Sequence, residues 1–329
     1  MTPGARTEPA IAPGTDGRDL ARAVRAGLAG GGPKSLPSRL LYDDLGSALF
    51  EAITRLPEYG LTRADDRLLH THAAEIAGFA RPPLAVAELG SGSGRKARPI
   101  LEAAARRQTE LTYHPIDLSG AALEQSRVEL AGIRGVSVEP ILATYADGLS
   151  RAIEETRLGE RLLVLFLGGT IGNFDRQEAV RFLGDIRSKL RPGDGFLVGT
   201  DLMKPVPTLI AAYADSLGVT AAFNKNLLVR LNRELGAHFE PSWFTHQARW
   251  NETERRIEMH LVSRRAHKVA VAALDMVVEF AEGETIWTES SYRYEKDELP
   301  AMAARAGFDC LAQWVDEEWP FAETLLTPR

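Results

Sequence analysis

The stretch Leu84-Ala85-Val86-Ala87-Glu88-Leu89-Gly90-Ser91-Gly92-Ser93-Gly94-Arg95-Lys96 constrains the fold more than any other part of the chain. An apolar run with one acid near its end suits a parallel strand covered on both faces. The glycines that follow allow φ > 0 and let backbone N–H groups come close to a ligand. The pattern predicts a buried strand running into a nucleotide-cradling loop. Around it the periodicity predicts a helix from Thr62, its cap, to about Ala80, and another after Lys96. Next come a strand at Leu111 to Ile116, a helix from Ser119, a strand around Val136 to Leu142 and a further helix. The strand Arg161 to Leu167, a helix from Arg176 to Lys189 and the strand Gly195 to Thr200 complete the series. Such alternation calls for an α/β fold, a parallel doubly wound sheet with right-handed crossovers, and ligands sit beyond the carboxyl ends of its strands.

What the loop lacks narrows what it binds. A dinucleotide fingerprint needs a third glycine where Arg95 stands, and no Gly-Lys-Ser/Thr follows at Walker spacing. Glu88-Leu89-Gly90-Ser91-Gly92-Ser93-Gly94 resembles instead the first motif of class I S-adenosylmethionine (AdoMet) methyltransferases. In that family the loop lines the methionine part of the cosubstrate, and an acid ending the second strand binds the ribose hydroxyls. Asp117 stands in that place.

Composition excludes other classes. The formal net charge of −6 argues against a nucleic-acid backbone as main partner, since counterion release needs a basic face. Cys310 is the only cysteine, so no intrachain disulfide and no cysteine-based zinc site are available, and no metal is expected. No apolar run approaches the roughly 18 residues that cross a bilayer. Residues 1–16, rich in Pro, Gly and Thr, read as a flexible tail and not a signal peptide. A cytoplasmic protein, with a monomer as the working expectation, is the simplest reading.

Outside the βα series, Leu20, Val24 and Leu28 mark a helix that ends at Gly30-Gly31-Gly32-Pro33, and Gly46 to Thr54 reads as another. After Asp201 the rhythm changes. Pro207 to Leu217 and Asn224 to Glu234 read as helices, and Phe244 to Val262 alternates as a hairpin around Asn251. Val269 to Phe280 and Thr285 to Tyr294 read as strands. A helix from Asp297 to Ala306 and a late strand, Phe308 to Trp314, return to the sheet. The expected organisation is a methyltransferase domain in 64–202 and 294–329, with a second α+β, substrate-binding domain from 17–63 and the insertion 203–293.

The strand end Leu167-Gly168-Gly169-Thr170-Ile171-Gly172-Asn173 faces the cosubstrate side. Its glycines leave carbonyls approachable, Thr170 offers a hydroxyl, and Asn173 offers donor and acceptor in one amide. Such a loop can hold an amine and a carboxylate together. Here the chain resembles one family: the histidine Nα-methyltransferases of ergothioneine biosynthesis, with their relatives that methylate tryptophan derivatives. The resemblance is carried by Leu41-Tyr42-Asp43, Ile53 to Tyr59, Glu88 to Gly92, Phe166 to Asn173, Gly199 to Leu202, Ala222 to Asn226, Asn232 to Leu235, Ala248 to Asn251, Arg256 to Met259 and Thr288 to Ser291. It implies that Asn173 and Tyr213 hold the substrate carboxylate, with Gly168 and Thr170 against the α-amine. It implies that Tyr59 meets the imidazole, Glu289 and Ser291 read its far side, and Tyr42 and Met259 wall the pocket. For AdoMet it implies Glu88, Gly90, Ser91, Gly92, Lys96 and Asp117, with Thr144 and Tyr145 where an Asp-Phe pair commonly flanks the adenine. Gly60 replaces a second tyrosine, which implies a looser mouth. The expected activity is successive methylation of L-histidine to trimethylhistidine (hercynine), with positioning instead of a strong acid or base. The competing readings are methylation of tryptophan or another amino acid, and a non-catalytic AdoMet-fold binding subunit.

Overall fold

In the computed structural model, which describes residues 17–329, Leu84–Leu89 (β1) is buried at every residue and runs through the middle of an eight-stranded sheet. The stretch read as a flexible tail, 1–16, lies outside the described residues. The other strands are Leu111–Asp117 (β2), Val136–Val138 (β3), Ile141–Leu142 (β4), Arg161–Phe166 (β5), Gly195–Asp201 (β6), Phe308–Asp316 (β7) and Phe321–Pro328 (β8). Their order is β7-β8-β6-β5-β1-β2-β3, with β4 beside β2. β1 lies parallel to both β5 and β2, and β6 parallel to β5, so this is the Rossmann-like doubly wound sheet that the alternation calls for. Separate apolar clusters cover its two faces, one around Phe166, Phe182 and Phe196, the other around Ile76, Leu101 and Tyr113.

The fold departs from the sequence reading at four places. The strand read from Val136 to Leu142 is two short ones, because Pro140 between them has no N–H to give a ladder. The segment Val269 to Phe280 is not one strand but the antiparallel pair His267–Val271 and Met276–Phe280, folded back through a turn with Asp275 at φ 46°. Helix Leu61–Ala77 starts after Gly60, and Thr62 is no cap: its buried hydroxyl has no partner. The late strand is a hairpin; β8 passes between β7 and β6, antiparallel to both.

A second sheet is built almost wholly from the segment after Asp201. Phe244–Asn251, Arg256–Ser263 and Thr285–Tyr292 form an antiparallel sheet, and Lys34–Ser35 joins the last of these in parallel. Helices Val206–Tyr213 and Val219–Leu235 lie against it, and helix Asp44–Ile53 packs on the latter. The apolar residues between them, Phe223, Leu227, Met259 and Leu261 among them, form one cluster with Leu20, Leu40 and Tyr59 from before the first sheet. Chain order therefore runs into the second layer, through the first, and back again.

Phe182 is the hub of the aromatic packing under helix Tyr145–Glu155, touching Tyr145, Phe166, Phe174 and Phe196 at centroid distances of 4.8–6.4 Å. Phe182→Ala should cost about 3–5 kcal/mol in urea unfolding, because the cavity sits under a fixed sheet. A loss below about 1 kcal/mol contradicts that packing account.

Candidate active site

The loop after β1 is held open by Gly90, Gly92 and Gly94, at φ 71°, 52° and 68°, a region that residues with a Cβ seldom enter. The Gly92 N–H donates to Asp117 Oδ2 (3.0 Å) and the Ser119 N–H to Asp117 Oδ1 (2.9 Å). Asp117 thus ties the loop to the helix Gly120–Leu130 that Ser119 caps. The Ser91 hydroxyl is buried without a partner. Tyr145 lies along the loop: a Cβ on Gly90 would stand 3.0 Å from its hydroxyl oxygen. Thr144 caps the Tyr145 helix, accepting from the Asp147 N–H (3.2 Å) and donating to Asp147 Oδ2 (2.9 Å). An unpartnered hydroxyl, a carboxylate with lone pairs left and a backbone cradle closed by an aromatic ring fit a polar nucleoside joined to an amino acid.

Glu88 lies inward of the loop and accepts from the Tyr113 hydroxyl. Burial pushes its carboxyl up to about 8, against the lowering pull of that bond. Lys96 donates to Asp65 (2.7 Å) and stands directly under the next loop, since a Cβ on Gly168 would come within 2.6 Å of its ammonium. Glu323 of β8, fully buried, faces Asp65; burial first, then the Asp65 charge, raise its pKa well above the usual carboxylate range.

A small cavity lies within the second layer, lined by Phe50, Tyr59, Tyr213, Phe223, Met259 and Glu289 among others. Tyr42 sits beside it, edge-on to Phe50 and Phe223 at 5.5 and 5.4 Å. Tyr59 and Tyr213 meet edge to face at 6.2 Å. Glu289 is 8 % exposed and one of its oxygens has no partner. Burial pushes its carboxyl up to about 8 although Arg293 pulls the other way. Ser291 bonds the Tyr213 hydroxyl at 2.7 Å.

Glu289 points inward because of a bulge. Trp287 pairs with His260 and Glu289 with Met259, so Thr288 is an extra residue and the alternation changes phase. Ile286, Thr288, Glu289 and Ser291 are all buried as a result. The Thr288 hydroxyl donates to Asn224 Oδ1 (2.7 Å), and the Asn224 amide donates to His246 Nδ1 (2.9 Å). His246 Nε2 then donates to the Tyr213 carbonyl (2.7 Å), which fixes its tautomer and anchors the end of the Tyr213 helix.

The strand-end loop packs from the other layer against the strand that carries Glu289 and Ser291. Gly168 and Gly169 take φ 75° and 72°, and Gly172 lies so close to the Tyr292 backbone that a Cβ would be 3.0 Å from its carbonyl oxygen and 3.7 Å from Ser291 Oγ. Thr170 donates to the Leu167 carbonyl (3.1 Å). Asn173 caps no helix; Asp175 does, in a capping box with Glu178. The structure therefore brings Tyr59, Tyr213, Met259, Glu289 and Ser291 together with the 168–173 loop. Glu88, Lys96 and Asp117 lie under and beside the glycine loop.

The reading of a loose mouth at Gly60 is corrected. Trp319, from the turn between β7 and β8, fills the space: a Cβ on Gly60 would lie 2.1 Å from its ring. Sequence reasoning also missed Asp201, Lys204 and Arg293. Asp201 accepts from Lys204 (2.6 Å) and the Trp319 indole (3.2 Å) and pairs with Arg293 (2.9 Å), all but Trp319 buried. Their only signal was the presence of a charge at the end of an apolar strand. Among the described residues no group of three or more His, Cys, Asp or Glu could hold a metal ion, and no helix is long and apolar enough to cross a membrane.

Comparison with known proteins is consistent with this geometry. A family described as histidine-specific methyltransferase, SAM-dependent, matches residues 20–328. A histidine N-alpha-methyltransferase of Mycolicibacterium smegmatis is 41 % identical over 93 % of this chain and 94 % of its own length. One from Mycobacterium tuberculosis is 40 % identical over 89 % and 90 %. Ergothioneine biosynthesis protein 1 of Neurospora crassa is 30 % identical over 86 % of this chain and 32 % of its own length.

The buried carboxyls make a pH prediction. A carboxyl raised in the folded state stabilises it below the unfolded pKa, and that stability is lost as pH rises through the folded value. Between about pH 6.5 and 8 Glu88 and Glu289, raised to about 8 by burial, keep protons that the unfolded chain has released, while the histidines lowered by burial and Lys204, lowered to about 8, act in the opposite sense. The contribution of Glu289 to stability should fall with pH across that window. Glu289→Gln should show a slope shallower by up to about 1.4 kcal/mol per pH unit, one proton's worth. Equal slopes in denaturant titrations of the two proteins would refute the assignment.

Proposed function

Because the chain belongs to the family of SAM-dependent, histidine-specific methyltransferases, we infer that it transfers methyl groups from AdoMet to the α-amino nitrogen of L-histidine. Three transfers give trimethylhistidine (hercynine), the first step of ergothioneine biosynthesis. The observation that carries the acceptor is Glu289, a buried carboxyl with an unpaired oxygen at an aromatic cavity. An imidazole N–H satisfies it, whereas an aliphatic side chain would leave it unpaired at a cost of about 1–3 kcal/mol.

We assign the acceptor's contacts as follows. Tyr213 and Asn173 take the carboxylate, and Gly168 and Thr170 lie against the α-amine. Tyr59, Glu289 and Ser291 surround the imidazole, and Tyr42 and Met259 complete the wall. Gly90, Ser91, Gly92, Lys96 and Asp117 hold AdoMet, Tyr145 and Thr144 border its adenine, and Glu88 supports the loop through Tyr113. Segments 17–63 and 203–293 form the acceptor-binding unit, and 64–202 with 294–329 the AdoMet-binding unit. The apolar clusters follow this division for the most part, crossing it at Ala64, Leu68, Phe321 and Tyr292.

AdoMet, when bound, supplies an electrophilic methyl on a sulfonium. The protein's task is to present a neutral amine lone pair in line with it, and to do so repeatedly. An α-amine has a reference pKa of about 7.7–8.0 in peptides and somewhat more in a free amino acid, so a usable neutral fraction exists without a strong base. Carbonyls of the glycine loop at 168–169 and the Thr170 hydroxyl can accept the amine's hydrogens. The glycines also leave room for methyls already added, and Tyr59 and Tyr213 offer faces to the growing cationic charge.

Purified protein with AdoMet and an equimolar panel of amino acids should convert histidine alone, through one, two and three added methyls by mass spectrometry. A tryptophan product, or none, would overturn the acceptor. Glu289→Ala should lower kcat/KM for histidine by roughly 10- to 100-fold with the AdoMet KM little changed, as expected for an imidazole N–H left unpaired. An unaffected kcat/KM would remove Glu289 from the pocket's chemistry.

A further inference from the structure

Arg293 has no part in the assignments above, yet among the described residues it is the largest fully buried side chain, 1 % exposed. It stands behind Tyr213, its guanidinium carbon 5.4 Å from that ring. Nη1 donates to Ser291 Oγ at 2.8 Å and to the Ser291 carbonyl at 2.9 Å, and Nε faces Asp201 at 2.9 Å. Asp201 also carries Lys204. Two buried cations thus share one carboxylate. The other carboxyl at the cavity, Glu289, is held protonated by burial at neutral pH. Behind the cavity wall two cationic side chains therefore face one carboxylate, an imbalance that a low-dielectric site tolerates poorly unless an anion completes it.

The hydrogen-bond order points to where that anion sits. Ser291 Oγ must accept from Arg293, because a guanidinium only donates. Ser291 and Tyr213 share one hydrogen bond, which can run either way. With an acceptor group at the cavity side of Tyr213, the order becomes Arg293 to Ser291, Ser291 to Tyr213, and Tyr213 to that group. A chain of donors that starts on a cation is polarised toward its far end.

We propose that Arg293 is a positioning residue that selects a carboxylate-bearing acceptor, acting on the carboxylate through Ser291 and Tyr213. This rests on the reading that Tyr213 meets the acceptor's carboxylate. Lys204 and Asp201 set its environment from the core side, and Glu289, Tyr59 and Tyr213 face it from the cavity side.

The test compares kcat/KM for L-histidine with that for L-histidinamide, which keeps the imidazole and α-amine and replaces the carboxylate by a neutral amide. Each variant is read as the ratio of the two substrates relative to wild type, so the amide's own amine pKa cancels. Arg293→Gln should lower kcat/KM for histidine tenfold or more and for histidinamide about twofold or less. Arg293→Lys should restore part of the ratio. Ser291→Ala, which breaks the chain and keeps the charge, should also shrink the ratio, and it decides the matter if Arg293→Gln does not fold. Equal losses on both substrates in Arg293→Gln, or in Ser291→Ala where that variant decides, overturn the proposal. Tyr213→Phe separates the two failures. If it shrinks the ratio while Arg293→Gln does not, the carboxylate reading stands and the role of Arg293 falls; if neither shrinks it, both fall.

Discussion

The structure turns on one carboxylate. The chain leaves the first sheet at Asp201 and returns to it at Arg293 and Tyr294, and these crossing points lie side by side: Leu202 bridges Tyr294, and the Tyr294 N–H donates to the Asp201 carbonyl (3.1 Å). Lys204 on the way out and Arg293 on the way back both close on the Asp201 side chain. A segment of about ninety residues is thereby pinned at both ends to the carboxyl edge of β6, which is the edge where a doubly wound sheet places its ligands. With its ends fixed there, the second sheet can only stand over the mouth of the first. Breaking one partner of such a buried ion group is costly, because the remaining charge is left without water, so the clamp also fixes the distance between the two layers.

The same logic of burial governs the site itself. Glu88, Glu289 and Glu323 are carboxyls taken out of water, and each carries its proton above the usual carboxylate range for that reason. They serve different ends. Glu88 and Glu323 lie beneath the two glycine loops, where they hold Tyr113 and face the Asp65 that orients Lys96. Glu289 faces the cavity with an oxygen unused. Loops rich in glycine have little stiffness of their own, and the packed, hydrogen-bonded residues beneath them supply the rigidity that a positioning enzyme requires.

Much of this was legible in the sequence. The apolar run into Gly90 carries its own fold signal, since fully buried parallel strands leave no polar alternation, and the later βα repeats followed from the same patterning. Asp117 was legible because an acid at a strand end stands out. What stayed hidden was set by contacts distant in the chain. The inward turn of Glu289 depends on one extra residue, Thr288, whose hydroxyl is held by Asn224 sixty-odd positions earlier; no local pattern distinguishes it from a regular strand. Trp319 fills the gap at Gly60 from the far end of the chain, so the glycine read as looseness is a close-packing site. The strand Phe321–Pro328 was overlooked because it is buried along nearly its whole length and carries Glu323 in its middle, which breaks the apolar run.

Central to the account is that one cavity, walled by Tyr59, Tyr213 and Glu289, receives histidine in a single orientation against the cosubstrate loop. A crystal structure of the protein with S-adenosylhomocysteine and L-histidine tests this most directly. The account predicts the imidazole within hydrogen-bond distance of Glu289, the carboxylate within hydrogen-bond distance of the Tyr213 hydroxyl, and the α-amine turned toward Gly168 and Thr170. Histidine bound in the reverse sense, with its carboxylate at Glu289, or outside this cavity altogether, would contradict it.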